Sequence, residues 1–158
     1  MEIYTVSLFG HREPSDPIEL GKVLEKEVGN LIRTKEYVEF LVGRTGAFDY
    51  IAASTIFTVH KRLDYGNCSI VLVLPYMTEE YRDNKNSLEE YYNGVEICDA
   101  AASGHYKAAF TIRNRQMVER SDLVLCWIEH ESGGAFQAVK YAKKLKKEVR
   151  NLSPDCEI

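Results

Sequence analysis

Apolar positions along this chain follow two alternating rhythms. Short runs of β-branched and aromatic residues stop at glycine or proline, and between them lie longer segments with apolar residues three and four apart. The first run, IYTVSLF at 3–9, predicts a strand ending at Gly10. PIELGKVLEKEVGNLIR then sets Leu20, Val23, Leu24, Val28, Leu31 and Ile32 at helical spacing, with Asp16 as N-cap and Pro17 at the first helical position. Gly21 and Gly29 weaken that helix somewhat. YVEFLV at 37–42 predicts a second strand, ending at Gly43, and the helix after it keeps Phe48, Ile51, Ala52, Thr55, Ile56, Val59 and Leu63 on one face. IVLVL at 70–74 and LVLCWI at 123–128 are apolar without alternation, the pattern of strands buried on both faces.

Other segments are less regular. From Thr78 to about Gly94 the chain turns polar and tyrosine-rich, which reads as a loop or short surface helix. VEIC at 95–98 is a candidate short strand, Lys107–Arg120 a helix, and EVRNL at 148–152 a candidate edge strand. A last helix runs from Ser132 through Leu145, with Ala135, Ala138, Val139, Ala142 and Leu145 facing inward and the lysines at 143, 144, 146 and 147 near its negative end. Strands alternating with helices predict an α/β fold whose mainly parallel sheet is covered on both faces, in one domain over residues 1–158.

Composition narrows the picture. Twenty basic and 24 acidic residues leave a net charge of −4, so bulk charge offers no argument for nucleic acid, and none is expected as a partner. Cys68, Cys98, Cys126 and Cys156 are far apart without a C-x-x-C pair, which suits reduced thiols and a cytoplasmic protein. No stretch reaches the roughly 18 apolar residues of a membrane span. His11, His60, His105 and His130 show no metal-ligand spacing, and neither metal nor cofactor is expected.

Ligands of parallel sheets bind beyond the carboxyl ends of strands, where strand order reverses. Unusual residues collect at such positions here: GHRE after the first strand, GRTGAFD after the second, PY after the third, EHESGGAF after 123–128. Gly43 and Gly46 would let a phosphate, ribose or carboxylate approach the next helix, with Arg44 as a clamp. An ordinary tight turn, with Asp49 favouring the helix dipole, explains the same residues. Ser132-Gly133-Gly134 repeats the logic, and two glycines exceed what a cap requires. Arg12 beside His11 suits phosphate as a fixed planar donor. Arg113 and Asn114 sit in a helix where they would point partly toward solvent, within reach of a pocket rim.

Taken in order, F-G-H-R, G-R-x-G-x-F-D-x-x-A-A, L-V-L-P-Y, R-N-R-x-M-V-x-x-S-D and S-G-G-A-x-x-A-V-x-Y-A-K-K resemble the SLOG superfamily over about residues 4–152. That superfamily includes the LOG phosphoribohydrolases and DNA-processing protein A. The resemblance implies a Rossmann-like three-layer sandwich, a tendency to homo-oligomerise, and a nucleotide or nucleotide derivative lined by Gly10, His11, Arg12, Gly43, Gly46, Asp49, Ser132, Gly133 and Gly134. LOG enzymes carry P-G-G-x-G-T-x-x-E, whose glutamate takes part in N-glycosidic cleavage; Ser132 stands for that proline here, and the glutamate position falls on Lys140. An oxocarbenium-like transition state needs a nearby anion, which a lysine cannot supply. The expected function is therefore binding or sensing of a nucleotide-derived small molecule. The alternative is a hydrolase of nucleoside monophosphates or nucleotide sugars, with Asp49 or Glu131 as the working carboxylate and Glu13 or Glu129 in reserve.

Overall fold

The computed structural model describes residues 1–98 and 106–158; His105 lies outside the described residues. The apolar runs become six strands: β1 (Ile3–Gly10), β2 (Tyr37–Val42), β3 (Cys68–Leu74), β4 (Gly94–Ile97), β5 (Leu123–Trp127) and β6 (Glu148–Asn151). The helices between them are α1 (Pro17–Thr34), α2 (Ala47–Leu63), α3 (Glu79–Asp83), α4 (Lys85–Tyr91), α5 (Tyr106–Glu119) and α6 (Gly133–Lys144). All five strand pairings are parallel, in the order β4-β3-β2-β1-β5-β6, where a mainly parallel sheet was expected. The chain works outward from β1 to β4, then returns to place β5 against the other side of β1. Strand order reverses there, with Leu8 opposite Leu125 and Gly10 opposite Trp127.

Successive side chains of a strand face opposite sides of the sheet, so one apolar strand feeds two cores. Val6, Leu8, Phe40, Leu72 and Leu125 pack with Leu20 and Leu24 of α1 and Phe48 and Ile56 of α2. Phe9, Leu41, Val73, Val124 and Cys126 pack on the other face with Met117 and Val118 of α5 and Ala138, Val139 and Ala142 of α6. At the start of α1, Asp16 accepts the Glu19 N–H at 3.1 Å and Pro17 opens the helix. Helix α6 stops one residue before the expected Leu145, which is 40% exposed rather than inward.

Segment 78–94 departs from its polar composition. Helices α3 and α4 bury Tyr81, Leu88 and, just beyond, Tyr92 in the α1–α2 core. A tyrosine ring supplies apolar area while its hydroxyl finds a partner. Tyr81 donates to Glu89 at 2.6 Å, and Tyr92 Oη accepts from Arg44 at 2.9 Å.

One polar contact inside the second core fixes the height of α5 on the sheet. Ser121 Oγ donates to the Met117 carbonyl at 2.6 Å, and Ser7 Oγ from β1 lies 2.5 Å from Ser121 Oγ, with all three atoms buried. Ser7 Oγ also reaches the Met117 carbonyl at 3.1 Å, so removing either hydroxyl costs a buried hydrogen bond while the other keeps that acceptor. Ser121→Ala is expected to lower unfolding free energy by about 0.5–1.5 kcal/mol in urea denaturation; an unchanged midpoint would show that the pair does not hold α5.

Candidate functional site

Where β1 and β5 diverge, their following loops leave a cavity of about 290 Å³. Gly10, His11 and Arg12 form one wall, Gly43, Thr45 and Asp49 a second, Phe110, Arg113 and Asn114 of α5 a third, and Gly133 and Gly134 at the start of α6 the fourth. The structure thus brings together nine of the residues singled out in the sequence: Gly10, His11, Arg12, Gly43, Asp49, Arg113, Asn114, Gly133 and Gly134. Thr45, Phe110 and Met117 also line the cavity and were not singled out. Thr45 sits inside the quoted G-R-T-G turn, a signal available in the sequence; Phe110 and Met117 flank the R-N-R string at helical spacing.

Four predicted residues sit elsewhere. Arg44 turns away to Glu80, with Nε to Oε1 at 2.7 Å and Nη2 to Oε2 at 3.1 Å, so its charge is already engaged by a two-point pair. Gly46 serves close packing: a Cβ there would come within 2.7 Å of the Arg12 Cα, and the Ala47 N–H donates to the Arg12 carbonyl at 2.8 Å. Ser132 occupies the N-cap position of α6 but makes no side-chain cap bond; its hydroxyl lies 2.6 Å from His130 Nδ1. Glu131 is exposed and does not line the cavity.

The two helix starts at this edge differ in what they leave open. At α2 the first N–H is taken by Arg12, and the Asp49 carboxylate accepts from both the Thr45 N–H (2.9 Å) and hydroxyl (3.0 Å). An anion would meet a carboxylate there. At α6 no side chain caps the first turn, and Gly133 adopts φ +91°, a conformation glycine takes without steric cost. A Cβ on Gly134 would meet no protein atom within 4 Å. Unpaired N–H groups, a positive dipole end and free space coincide at α6 alone of the two.

Arg113 corrects the expectation of a partly solvent-facing side chain: it is 6% exposed. Its Nη1 donates to the Val73 carbonyl at 3.3 Å, and Nε and Nη2 both donate to Asn114 Oδ1, at 3.1 and 2.8 Å. Gly43 makes room for it. A Cβ at that position would lie 3.0 Å from both Arg113 Nη1 and Asp49 Oδ2, so the bare backbone is the floor over which α5 and α2 bring opposite charges together. Burial pushes the Asp49 carboxyl above its ordinary pKa, while the Thr45 N–H, Arg113, the Thr45 hydroxyl and Arg12 pull it back. Burial likewise lowers the Arg113 pKa, and Asp49 opposes this.

On the facing wall the His11 and His130 rings stack, centroids 3.8 Å apart and planes 10° from parallel. His11 Nε2 accepts the His130 N–H at 3.4 Å, which requires that nitrogen to be unprotonated. Behind them Glu129 accepts from Trp127 Nε1 (2.7 Å) and from the Ser15 N–H and hydroxyl (2.8 Å each). Burial favours a higher pKa for Glu129, but these donors outweigh it and the net shift is downward. Among the described residues no group of three or more His, Cys, Asp or Glu side chains could hold a metal ion.

Burial and the neighbouring His130 lower the His11 pKa, against a weaker upward pull from Glu129. A histidine pKa lower in the folded than in the unfolded chain contributes stability above the unfolded value of about 6.5 that is lost as pH falls from there through the folded pKa. NMR titration is expected to place His11 below that ordinary value in the native protein. His130→Ala should move it upward; an unmoved midpoint would remove the ring pair as a cause.

The fold has counterparts among known structures. DNA processing protein A from Helicobacter pylori, described for its single-stranded DNA binding mode, superposes with TM-score 0.64 at 18% identity over 92% of this chain and 63% of that one. DNA processing protein A from Streptococcus pneumoniae gives TM-score 0.68 at 15% identity, over 93% and 49%. The chain therefore spans about half to under two thirds of these proteins' length. They share its α/β Rossmann-like architecture, as the sequence reading expected. The expectation that nucleic acid is no partner is overturned, because a protein of this fold binds single-stranded DNA. The physical fault was to argue from net charge, which averages over a surface on which cations can gather locally. A search of curated protein sequences finds no match. The model of one family, described as the YspA SLOG family, matches residues 4–155, nearly the whole sequence: the chain belongs to the YspA SLOG family.

Proposed function

We propose that this protein binds a nucleotide at the β1–β5 crevice, with the phosphate at the start of α6. The observation that carries this reading is the uncapped first turn of α6 facing open space across Gly134, within the cavity that strand reversal creates. Asp49 and Asn114 supply hydrogen-bonding groups for a sugar on the opposite wall. The base lies toward a second cleft that shares Arg12, Thr45, Phe110 and Arg113 with the cavity and continues along Pro75, Tyr76 and Met77. Those side chains offer the apolar and aromatic surface that a planar base stacks on.

Binding accounts for the site better than cleavage. Of the four carboxylates considered for an N-glycosidic hydrolase, Asp49 is the one on the cavity wall; Glu13 and Glu131 do not line it, and Glu129 is held by Trp127 and Ser15. Lys140, at the position of the LOG glutamate, is exposed.

Isothermal calorimetry with the four ribonucleoside 5′-monophosphates is expected to detect binding by the native protein and its loss in Gly134→Val, whose side chain projects into open space at the helix start. Equal affinities would remove α6 from the site. Asp49→Asn is expected to weaken the same ligands by about tenfold, the worth of a hydrogen bond to a charged group, with the fold checked by circular dichroism. Unchanged affinity would place the sugar elsewhere.

A further inference from the structure

The central cavity is small for the ligand just proposed. At about 290 Å³ it falls just below the roughly 300–1,000 Å³ typical of small-molecule sites. It opens into a cleft of about 540 Å³ between α5 and α6, shared through Arg12, Phe110, Asn114 and Gly134 and lined also by Lys107 and Arg115. A ligand seated at Gly134 therefore has space on two sides: the apolar cleft at Tyr76, and this one.

The charges of the two clefts differ. On the Tyr76 side, the shared Arg12 is accompanied by Arg44, which is paired with Glu80, by Arg113, which is buried beside Asp49, and by Glu79, whose negative charge offsets one of the cations. In the α5–α6 cleft, Arg12, Lys107 and Arg115 bring three cations, and among the described residues no carboxylate lines it. None of the three takes part in an ion pair among the described residues, where Arg44, Arg62, Arg82, Arg120 and Arg150 all do. Arg115 is instead laid over the Tyr141 ring, 5.0 Å from its centroid, which limits the side-chain freedom lost when it meets an anion. Three cations without an ion pair among the described residues, gathered around one cleft in a chain of net charge −4, mark a local anion site.

Resting on the nucleotide reading above, we propose that the α5–α6 cleft is a second phosphate subsite, so that the ligand carries at least two phosphates: one at the start of α6 and another held by Arg12, Lys107 and Arg115. A nucleoside diphosphate, a 3′,5′-bisphosphate and a short single strand share this chemistry. A ligand with one phosphate leaves the cleft to water.

The test compares nucleoside 5′-monophosphates with the matching 5′-diphosphates, 3′,5′-bisphosphates and a single-stranded tetranucleotide, by calorimetry on the native protein and on Lys107→Gln/Arg115→Gln. Both substituted residues are exposed, and a thermal melt confirms the fold. The expected result is at least about a tenfold preference for a two-phosphate ligand over the monophosphate, equivalent to ~1.4 kcal/mol. That preference should fall as salt rises and collapse in the double variant, while monophosphate affinity stays within about twofold. Whether the bisphosphate, the diphosphate or the strand gains most names the source. Equal binding of monophosphates and every two-phosphate ligand would overturn the subsite while leaving the nucleotide reading intact, as would equal weakening of all ligands by the double variant. If no nucleotide binds the native protein, both readings fall.

Discussion

The return of the chain to β1 is the constraint on which the site depends. In a parallel sheet every strand delivers its carboxyl end to the same edge, and each connection must cross a face of the sheet. Strands β1 to β4 advance in one direction with α1 and α2 on one face; β5 then pairs with β1 from the other side, and α5 and α6 cover the second face. The loops after β1 and β5 consequently leave in opposite directions and cannot close over the space between them. The cavity bounded by Gly10 and Gly134 is the geometric remainder of that reversal.

Within the remainder, polar groups are divided by whether the protein satisfies them itself. Arg44 has Glu80 and Tyr92, Glu129 has Ser15 and Trp127, and the first N–H of α2 has the Arg12 carbonyl. These contacts stiffen the rim. Among the described residues, Arg12, Lys107 and Arg115 join no ion pair and no side chain caps the first turn of α6. Arg113 stands between the two classes. Its guanidinium is buried and partnered by Val73 and Asn114, yet lines the cavity beside Asp49, which ties α5 to the loop after β2 through the bare backbone of Gly43.

The elements were legible because their signals are local. A β-branched run ending in glycine, or an apolar stripe with Asp16 and Pro17 at its start, needs no distant partner to be read. Segment 78–94 forms short helices, one of the two readings its composition allowed, but its buried residues were missed for the converse reason: Tyr81, Leu88 and Tyr92 are spaced by polar residues, and their burial depends on an existing core against which to fold. Arg113 was read as partly exposed because helical position alone does not disclose that Gly43 and the Val73 carbonyl lie opposite. Thr45, Phe110 and Met117 entered the cavity wall by the same tertiary route.

By itself the sequence determined the α/β architecture, its alternation of elements, and the concentration of glycine, arginine and carboxylate at strand ends, since each follows from periodicity and backbone preference over a few residues. Only the tertiary structure decided which of those charges are already spent. Arg44 and Arg12 look alike as neighbours of strand-end glycines; one meets Glu80, 36 residues further along the chain, and the other meets no carboxylate within ion-pair distance among the described residues. Charge pairing falls steeply with distance in space and is indifferent to distance along the chain, so which cation stays available to a ligand is settled when the chain folds.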